Sequence, residues 1–498
     1  MSGKKALIFV ILLFTGILLA HTQNTKVISI SVENVNSETV GLYEKFEVEI
    51  ELTGAVYDNP FDPEQIDVQA VFTSPSDSTW TIWGFYDDFQ GRDQWKVRFA
   101  ANETGDWQYY LTAVNGTDST QSTVHSFTAI ESEHHGWIRP SRSNPHYFVH
   151  DDGTNFYGVG AYYPWDLGNN SDGLAGLAEH GANMFGYWNI SYGGEGNFIE
   201  SLASGLGRYD QGKCGRIDMI LEWSEELNLK MMLAFWPHDL LSNTVWAHQW
   251  HNNPYKDICD VEDFYADETA WYYQQRQYRY LIARWGYCRA LGIWEIVNEI
   301  NGTDGWQNGH EDEATAWVGN VHQFFTEHDP FKRPTTANMS GGHFWSEGYE
   351  LVDIPNVHLY ESGWPQQYPG NPLRSSLWTY YSVTRQFRDE FQKPSILGEA
   401  GYTDTYGNFD VPSEEYTKLY HNALWVTWAG GMSMTPVWWA FNSSNIMSPD
   451  VMDQMLSFSQ VAGLINYSGS NNDTITVTGT DCDGFAMKNS QTGWGWVR

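Results

Sequence analysis

The chain of 498 residues is 41% hydrophobic and 18% charged, with a formal net charge of −35. That much apolar material builds a large core and excludes a disordered chain, and the acidic excess excludes nucleic acid as a main partner. Aromatic residues reach 16%, with 25 tryptophans, a supply of flat faces suited to stacking against sugar rings.

In chain order, residues 1–22 read as a signal peptide, because Lys4 and Lys5 precede an apolar run from Ala6 to Ala20. The run is too short for a stable span, and no later stretch has the length to cross a bilayer. A secreted or periplasmic location, with no membrane partner, is therefore expected. Residues 24–130 carry short alternating runs, among them Val27–Val32, Phe46–Leu52, Val68–Thr73, Trp95–Ala100 and Trp107–Val114. Gly, Asn, Asp and Pro separate them, a spacing that predicts an immunoglobulin-like β-sandwich.

The pattern changes over 137–465. Eight strand-like runs follow: Phe156–Tyr163, Asn183–Asn189, Lys230–Trp236, Ile293–Glu299, Pro334–Ser340, Asn356–Tyr360, Ser395–Gly401 and Met432–Trp439. Helical patterns lie between them, such as Ile217–Leu227, Ala270–Arg284, Asp312–Glu327, Tyr380–Glu390 and Ser413–Trp428. Eight strands alternating with helices predict an α/β fold, a (β/α)8 TIM barrel behind the sandwich. The tail 466–498 turns β again, at Thr474–Val477, Gly484–Lys488 and Trp494–Val497. These short strands either complete another sheet or begin a further domain.

Cys214, Cys259, Cys288 and Cys482 match no zinc spacing. Cys214 and Cys259 either form a disulfide or remain buried thiols. No phosphate-cradling loop, nucleophile elbow or nucleotide fingerprint occurs, so neither cofactor nor metal is expected.

In such a barrel the chemistry sits at the carboxyl ends of the strands. The fourth run ends Trp294-Glu295-Ile296-Val297-Asn298-Glu299 and the seventh Gly398-Glu399-Ala400. Alternation puts Glu295 and Glu299 on one side, with only Glu299 at the mouth. Glutamates on the fourth and seventh strands face each other, and a pair about 5 Å apart suits a retaining glycosidase.

Trp-Glu-x-x-Asn-Glu on strand four with Gly-Glu on strand seven resembles glycoside hydrolase clan A, the superfamily that includes family 5 cellulases and mannanases. The stretch Arg279–Tyr287 also resembles the third helix of such enzymes, and a sandwich ahead of the barrel is similar to secreted bacterial polysaccharide hydrolases. The resemblance covers the barrel, about two-thirds of the chain. It implies that Glu299 is the general acid/base, Glu399 the nucleophile, and Asn298 a hydrogen-bond partner of the sugar 2-hydroxyl. His358 and Tyr360 end the sixth strand, and one of them, Tyr360 by preference, is expected against the nucleophile. One of Trp438 and Trp439 is expected to floor the subsite of the reacting sugar. His238 resembles a strand-three histidine that positions substrate, although pairing with Asp239 explains it almost as well.

Tyr162, Tyr163, Trp165 and Trp188 are candidate outer subsites, and the loops Pro237–Asp263 and Glu361–Ser376 add Trp246, Trp250, Trp364 and Tyr368. The expected function is endo-acting hydrolysis of a β-glucan, a mannan or an algal galactan. The rival is a carbohydrate-binding protein on a degenerate barrel, which needs no glutamate pair.

Overall fold

The computed structural model describes residues 27–163, 171–188, 199–246, 248–341, 343–360, 368, 370–401, 413–439, 447–467, 473–478, 482–490 and 492–498. The signal-peptide segment, Trp165 and Trp364 lie outside these residues.

Near the amino terminus two sheets pack face to face. One has four strands and the other six, and every predicted run lies in one of them. Phe46 stacks on Phe127 across the gap at 4.0 Å, and Phe72 on Phe99 at 4.2 Å. Alternation explains the layer: Phe46, Val48 and Ile50 are buried, while Glu47, Glu49 and Glu51 between them are not fully buried.

The sandwich is fastened to the barrel by buried charge as well as apolar contact. Arg98, from the sandwich, sits 2.9 Å from Asp218, and Arg284 bridges Asp218 at 2.7 Å and Asp87 at 3.1 Å. The indole of Trp285 donates to Asp218 at 2.7 Å. Burial works against the Asp218 charge, but Arg98 and Arg284 hold its pKa well below the ordinary carboxylate range.

Eight parallel strands close on themselves: β1 (Gly160–Tyr162), β2 (Met184–Trp188), β3 (Lys230–Ala234), β4 (Leu291–Glu295), β5 (Thr335–Met339), β6 (Ile354–Tyr360), β7 (Ile396–Gly401) and β8 (Trp438–Trp439). A helix follows each in turn: α1 (Asp172–Glu179), α2 (Gln211–Glu226), α3 (Glu268–Trp285), α4 (Glu311–His328), α5 (Ser346–Leu351), α6 (Pro372–Glu390), α7 (Glu414–Gly430) and α8 (Pro449–Ala462). Strands covered on both faces need apolar residues throughout, which is why β2, β3, β4 and β7 are buried at every position.

Three predicted boundaries shift most, one being the end of the fourth run, where the strand stops at Glu295 and leaves Glu299 four residues beyond it. Phe156 pairs with Phe148 in a small antiparallel sheet, so the first barrel strand starts only at Gly160. At the other end, regular pairing in the eighth run is confined to Trp438–Trp439, with one bridge from Met434 to Gly158.

Strands Asp473–Thr478, Asp483–Lys488 and Gly493–Val497 form a sheet of their own rather than completing another. It rests on α6 and α7: Phe485 packs on Tyr381 at 4.3 Å, and Trp494 donates to the Trp428 carbonyl at 3.0 Å. All four cysteines are free thiols, which removes the disulfide alternative for Cys214 and Cys259. Cys214 is buried within α2.

Candidate active site

Glu299 follows β4 after Ile296, Val297 and Asn298, with φ +54° and ψ +58°. A left-handed backbone is costly for a residue with a Cβ, and such strain persists only where neighbours enforce it. Here the Glu299 N–H donates to Asn338 Oδ1 at 2.6 Å, and its carbonyl accepts the Gly302 N–H at 2.7 Å.

Glu399 lies within β7, beside His358 in the strand register. The residue before it is glycine for a steric reason: a Cβ on Gly398 would collide with the Asn356 amide, whose oxygen accepts the Gly398 N–H at 2.8 Å.

His358 joins the two acids. Its Nδ1–H donates to Glu299 Oε1 at 2.8 Å and stands 2.7 Å from Glu399 Oε2. Burial opposes a charge on this imidazole, but the Glu399 charge and the hydrogen bonds to both carboxylates outweigh it and lift the pKa to about 10. At neutral pH an imidazolium therefore sits between the acids. Tyr360 donates to Glu399 Oε1 at 2.9 Å. The expectation that one of His358 and Tyr360 reaches Glu399 is thus corrected to both, because residues two apart on β6 share a face and Glu399 offers two oxygens.

Among the described residues, Glu299, His358 and Glu399 are the group whose donor atoms converge closely enough to hold a cation, within 4.8 Å of one another. The protonated His358 already supplies positive charge at that point.

Beneath the pair lies Glu295, fully buried. It accepts the Tyr162 hydroxyl at 2.8 Å, Asn298 Nδ2 at 3.1 Å and Asn338 Nδ2 at 2.6 Å. Burial raises its pKa to about 7, against the pull of His358 and these three donors. Asn338 escaped the sequence reading, although alternation from Thr336 along β5 puts it on the inward face.

Asn298 is buried, and its Oδ1 accepts from His238 Nδ1 at 3.3 Å, while His238 Nε2 stands 2.9 Å from Asp239 Oδ1. His238 thus lies against both Asn298, the residue before the acid, and Asp239. Burial lowers the pKa of His238 and, with the charges of Glu299 and Glu399, raises that of Asp239 to about 8.

The tryptophan pair separates cleanly. Trp438 packs outward against Tyr420 at 5.2 Å and Tyr416 at 6.1 Å on α7. Trp439 turns the other way, onto Trp188 at 5.3 Å and Tyr162 at 5.5 Å. Trp439 is therefore the floor candidate. Tyr162 and Trp188 are 0% and 3% exposed and belong to this buried floor rather than to outer subsites. Tyr163 and Trp250 are buried as well, whereas Trp246 is half exposed.

Residues 39–114 match a family described as a domain of unknown function, DUF5060. No curated protein matches the chain. Among solved structures, a Bacteroides vulgatus protein provisionally named a glycoside hydrolase is similar at a TM-score of 0.58 and 16% identity, over 90% of this chain and 84% of that one. A glycoside hydrolase family 5 mannosidase from Rhizomucor miehei gives 0.46 at 13% identity, over 66% of this chain and 97% of its own. An exo-β-1,4-mannosidase from Opitutaceae bacterium strain TAV5 gives 0.47 at 16%, over 64% and 61%. The first of these likenesses establishes a shared fold.

Proposed function

We propose that this protein is an exported, retaining β-glycoside hydrolase that cleaves a polysaccharide by double displacement. The observation that carries the reading is the spacing of Glu299 and Glu399, whose nearest oxygens lie within 4.8 Å at the mouth of the barrel. Retaining enzymes hold their carboxyl groups about 5–5.5 Å apart, whereas inverting ones leave about 6.5–9.5 Å for a water. A Glu399 oxygen attacks the anomeric carbon as the glycosidic C–O bond breaks, and Glu299 gives its proton to the departing oxygen. Water then attacks the glycosyl ester, Glu299 takes a proton back, and Glu399 leaves as a carboxylate. His358 and Tyr360 hold Glu399 by charge and hydrogen bond, and Asn298, whose Nδ2 gives one proton to Glu295, offers its second to the sugar 2-hydroxyl.

The substrate class we favour is a neutral β-glucan, mannan or algal galactan cleaved internally, since a net charge of −35 repels sulfated and uronic chains. Incubation with β-glucans, mannans and agars, followed by sugar-release analysis, tests this. Release lost in Glu399→Gln with binding kept supports the enzyme. Unchanged release removes the nucleophile assignment, and binding without release in the parent protein favours a binding module. A proton-NMR time course that shows the inverted anomer first would contradict double displacement.

A further inference from the structure

Trp246 is an exposed aromatic that the reaction above leaves unused. It lies 12 residues beyond the end of β3 and is 47% exposed, with φ +49°. Both features are unfavourable for an indole. A left-handed backbone is costly for a bulky residue, and nearly half of this one gains nothing from burial. His248, two residues on, is left-handed too, at φ +53°.

The loop is nonetheless rigidly built. Asp304, almost fully buried, accepts the Thr244 N–H at 2.9 Å and further donors from Asn243 and Thr244. Ser242 donates to the Gly302 carbonyl at 2.7 Å. Gly302 closes the short turn Ile300–Gly302 directly after Glu299, and a Cβ there would run into the Trp246 ring. The indole is thus seated on backbone three residues from the acid, and it meets His238 edge-on at 4.9 Å. His238 Nδ1 in turn stands 3.8 Å from Glu299 Oε2.

This position has a direction. The floor of Tyr162, Trp188 and Trp439 serves the sugar attacked by Glu399, whereas Glu299 delivers its proton to the leaving oxygen, so whatever departs lies on the Glu299 side. Resting on the glycosidase reading, we propose that Trp246 is the stacking platform for the first sugar on the leaving-group side, an uncharged pyranose ring joined through the scissile oxygen. Strain and exposure are then the cost of presenting a flat apolar face where the axial C–H bonds of that ring arrive.

The test runs the second half of the reaction with a sugar in place of water. The protein is trapped with 2-deoxy-2-fluoro-β-glucosyl, -mannosyl and -galactosyl fluorides, which leave a slow glycosyl ester on Glu399. Reactivation is then followed in buffer and with cellobiose or mannobiose as acceptor. An acceptor hydroxyl attacks the anomeric carbon, Glu299 takes its proton, and the ester bond to Glu399 breaks. The readout is the ratio of acceptor-driven to water-driven reactivation within each protein, so that a general loss of activity cancels. Trp246→Ala is expected to lower that ratio about tenfold, the scale of one lost aromatic contact and its buried area. Trp246→Leu, which keeps apolar bulk without a flat face, is expected to lose as much and serves if the alanine variant does not fold. An unchanged ratio in a folded variant, or no acceleration by acceptor in the parent protein, overturns the subsite alone. Failure of all three fluorides to label the parent protein overturns the glycosidase reading and the subsite with it.

Discussion

The backbone N–H of Glu299 is held by the side chain of Asn338, at 2.6 Å, and the same amide gives its Nδ2 to Glu295. An amide has one acceptor and one donor end, so the carboxylate below decides which way Asn338 faces, and Asn338 decides whether Glu299 can keep its left-handed backbone. Asn338→Ala leaves a buried N–H unpaired. A stability loss of about 1–3 kcal/mol is expected, with a fall in kcat larger than any change in KM. Urea unfolding and steady-state kinetics check both, and a variant with normal kcat would remove the positioning role.

Glu295 titrates in the opposite sense to a salt-bridged acid. Its folded pKa of about 7 lies above the ordinary carboxylate value, so the folded state holds the proton more tightly. The stability this contributes is complete below the ordinary value and is lost as pH rises through about 7, up to about 3 kcal/mol in all. Glu295→Gln cannot titrate. Its stability is expected to fall less than that of the parent between pH 5 and pH 8, measured by urea unfolding, and parallel profiles would contradict the shift.

The two glutamates are separable by chemical rescue. Glu299→Ala is expected to keep turnover of dinitrophenyl glycosides, whose leaving group needs no proton, and azide should yield the β-glycosyl azide. Glu399→Ala with azide should yield the α-azide from a β-fluoride. Swapped products, read by NMR, would exchange the two roles.

Tyr360 gives Glu399 a hydrogen bond at 2.9 Å. Bonds to charged groups contribute about 1.5–3 kcal/mol, and 1.4 kcal/mol is roughly tenfold in rate. Tyr360→Phe is expected to lower kcat/KM about ten- to a hundredfold with little change in unfolding midpoint. A much lower midpoint would mark Tyr360 as structural.

At the joint between sandwich and barrel, Asp218→Ala removes the carboxylate that Arg98 and Arg284 share and leaves the two buried cations with Glu47 at 2.6 Å and Asp87 at 3.1 Å. Breaking such a group costs about 3–5 kcal/mol. Calorimetry should show a strongly lowered transition, and an unchanged one would mean that the two layers do not depend on this contact.

Local pattern alone determined much of this protein. Alternation in Phe46–Thr53 marks a half-buried strand, and apolar runs such as Lys230–Ala234 mark strands covered on both sides, because periodicity reports how many faces meet solvent. Counting eight such runs against helical patterns is enough to expect a closed barrel, and its geometry puts Glu299 and Glu399 at one mouth. What periodicity does not carry is depth and the identity of the partner across the barrel. Trp438 and Trp439 are adjacent letters with opposite faces, and the choice between them depends on where α7 and β1 lie. Tyr162 reads as a rim aromatic until Glu295, 133 residues away, is seen to accept its hydroxyl. Asn338 is one polar residue in an ordinary strand until folding brings a carboxylate beneath it and a strained N–H above it. Hydrogen bonds and ion pairs act over about 3 Å, and only tertiary packing brings residues so far apart in the chain within that range.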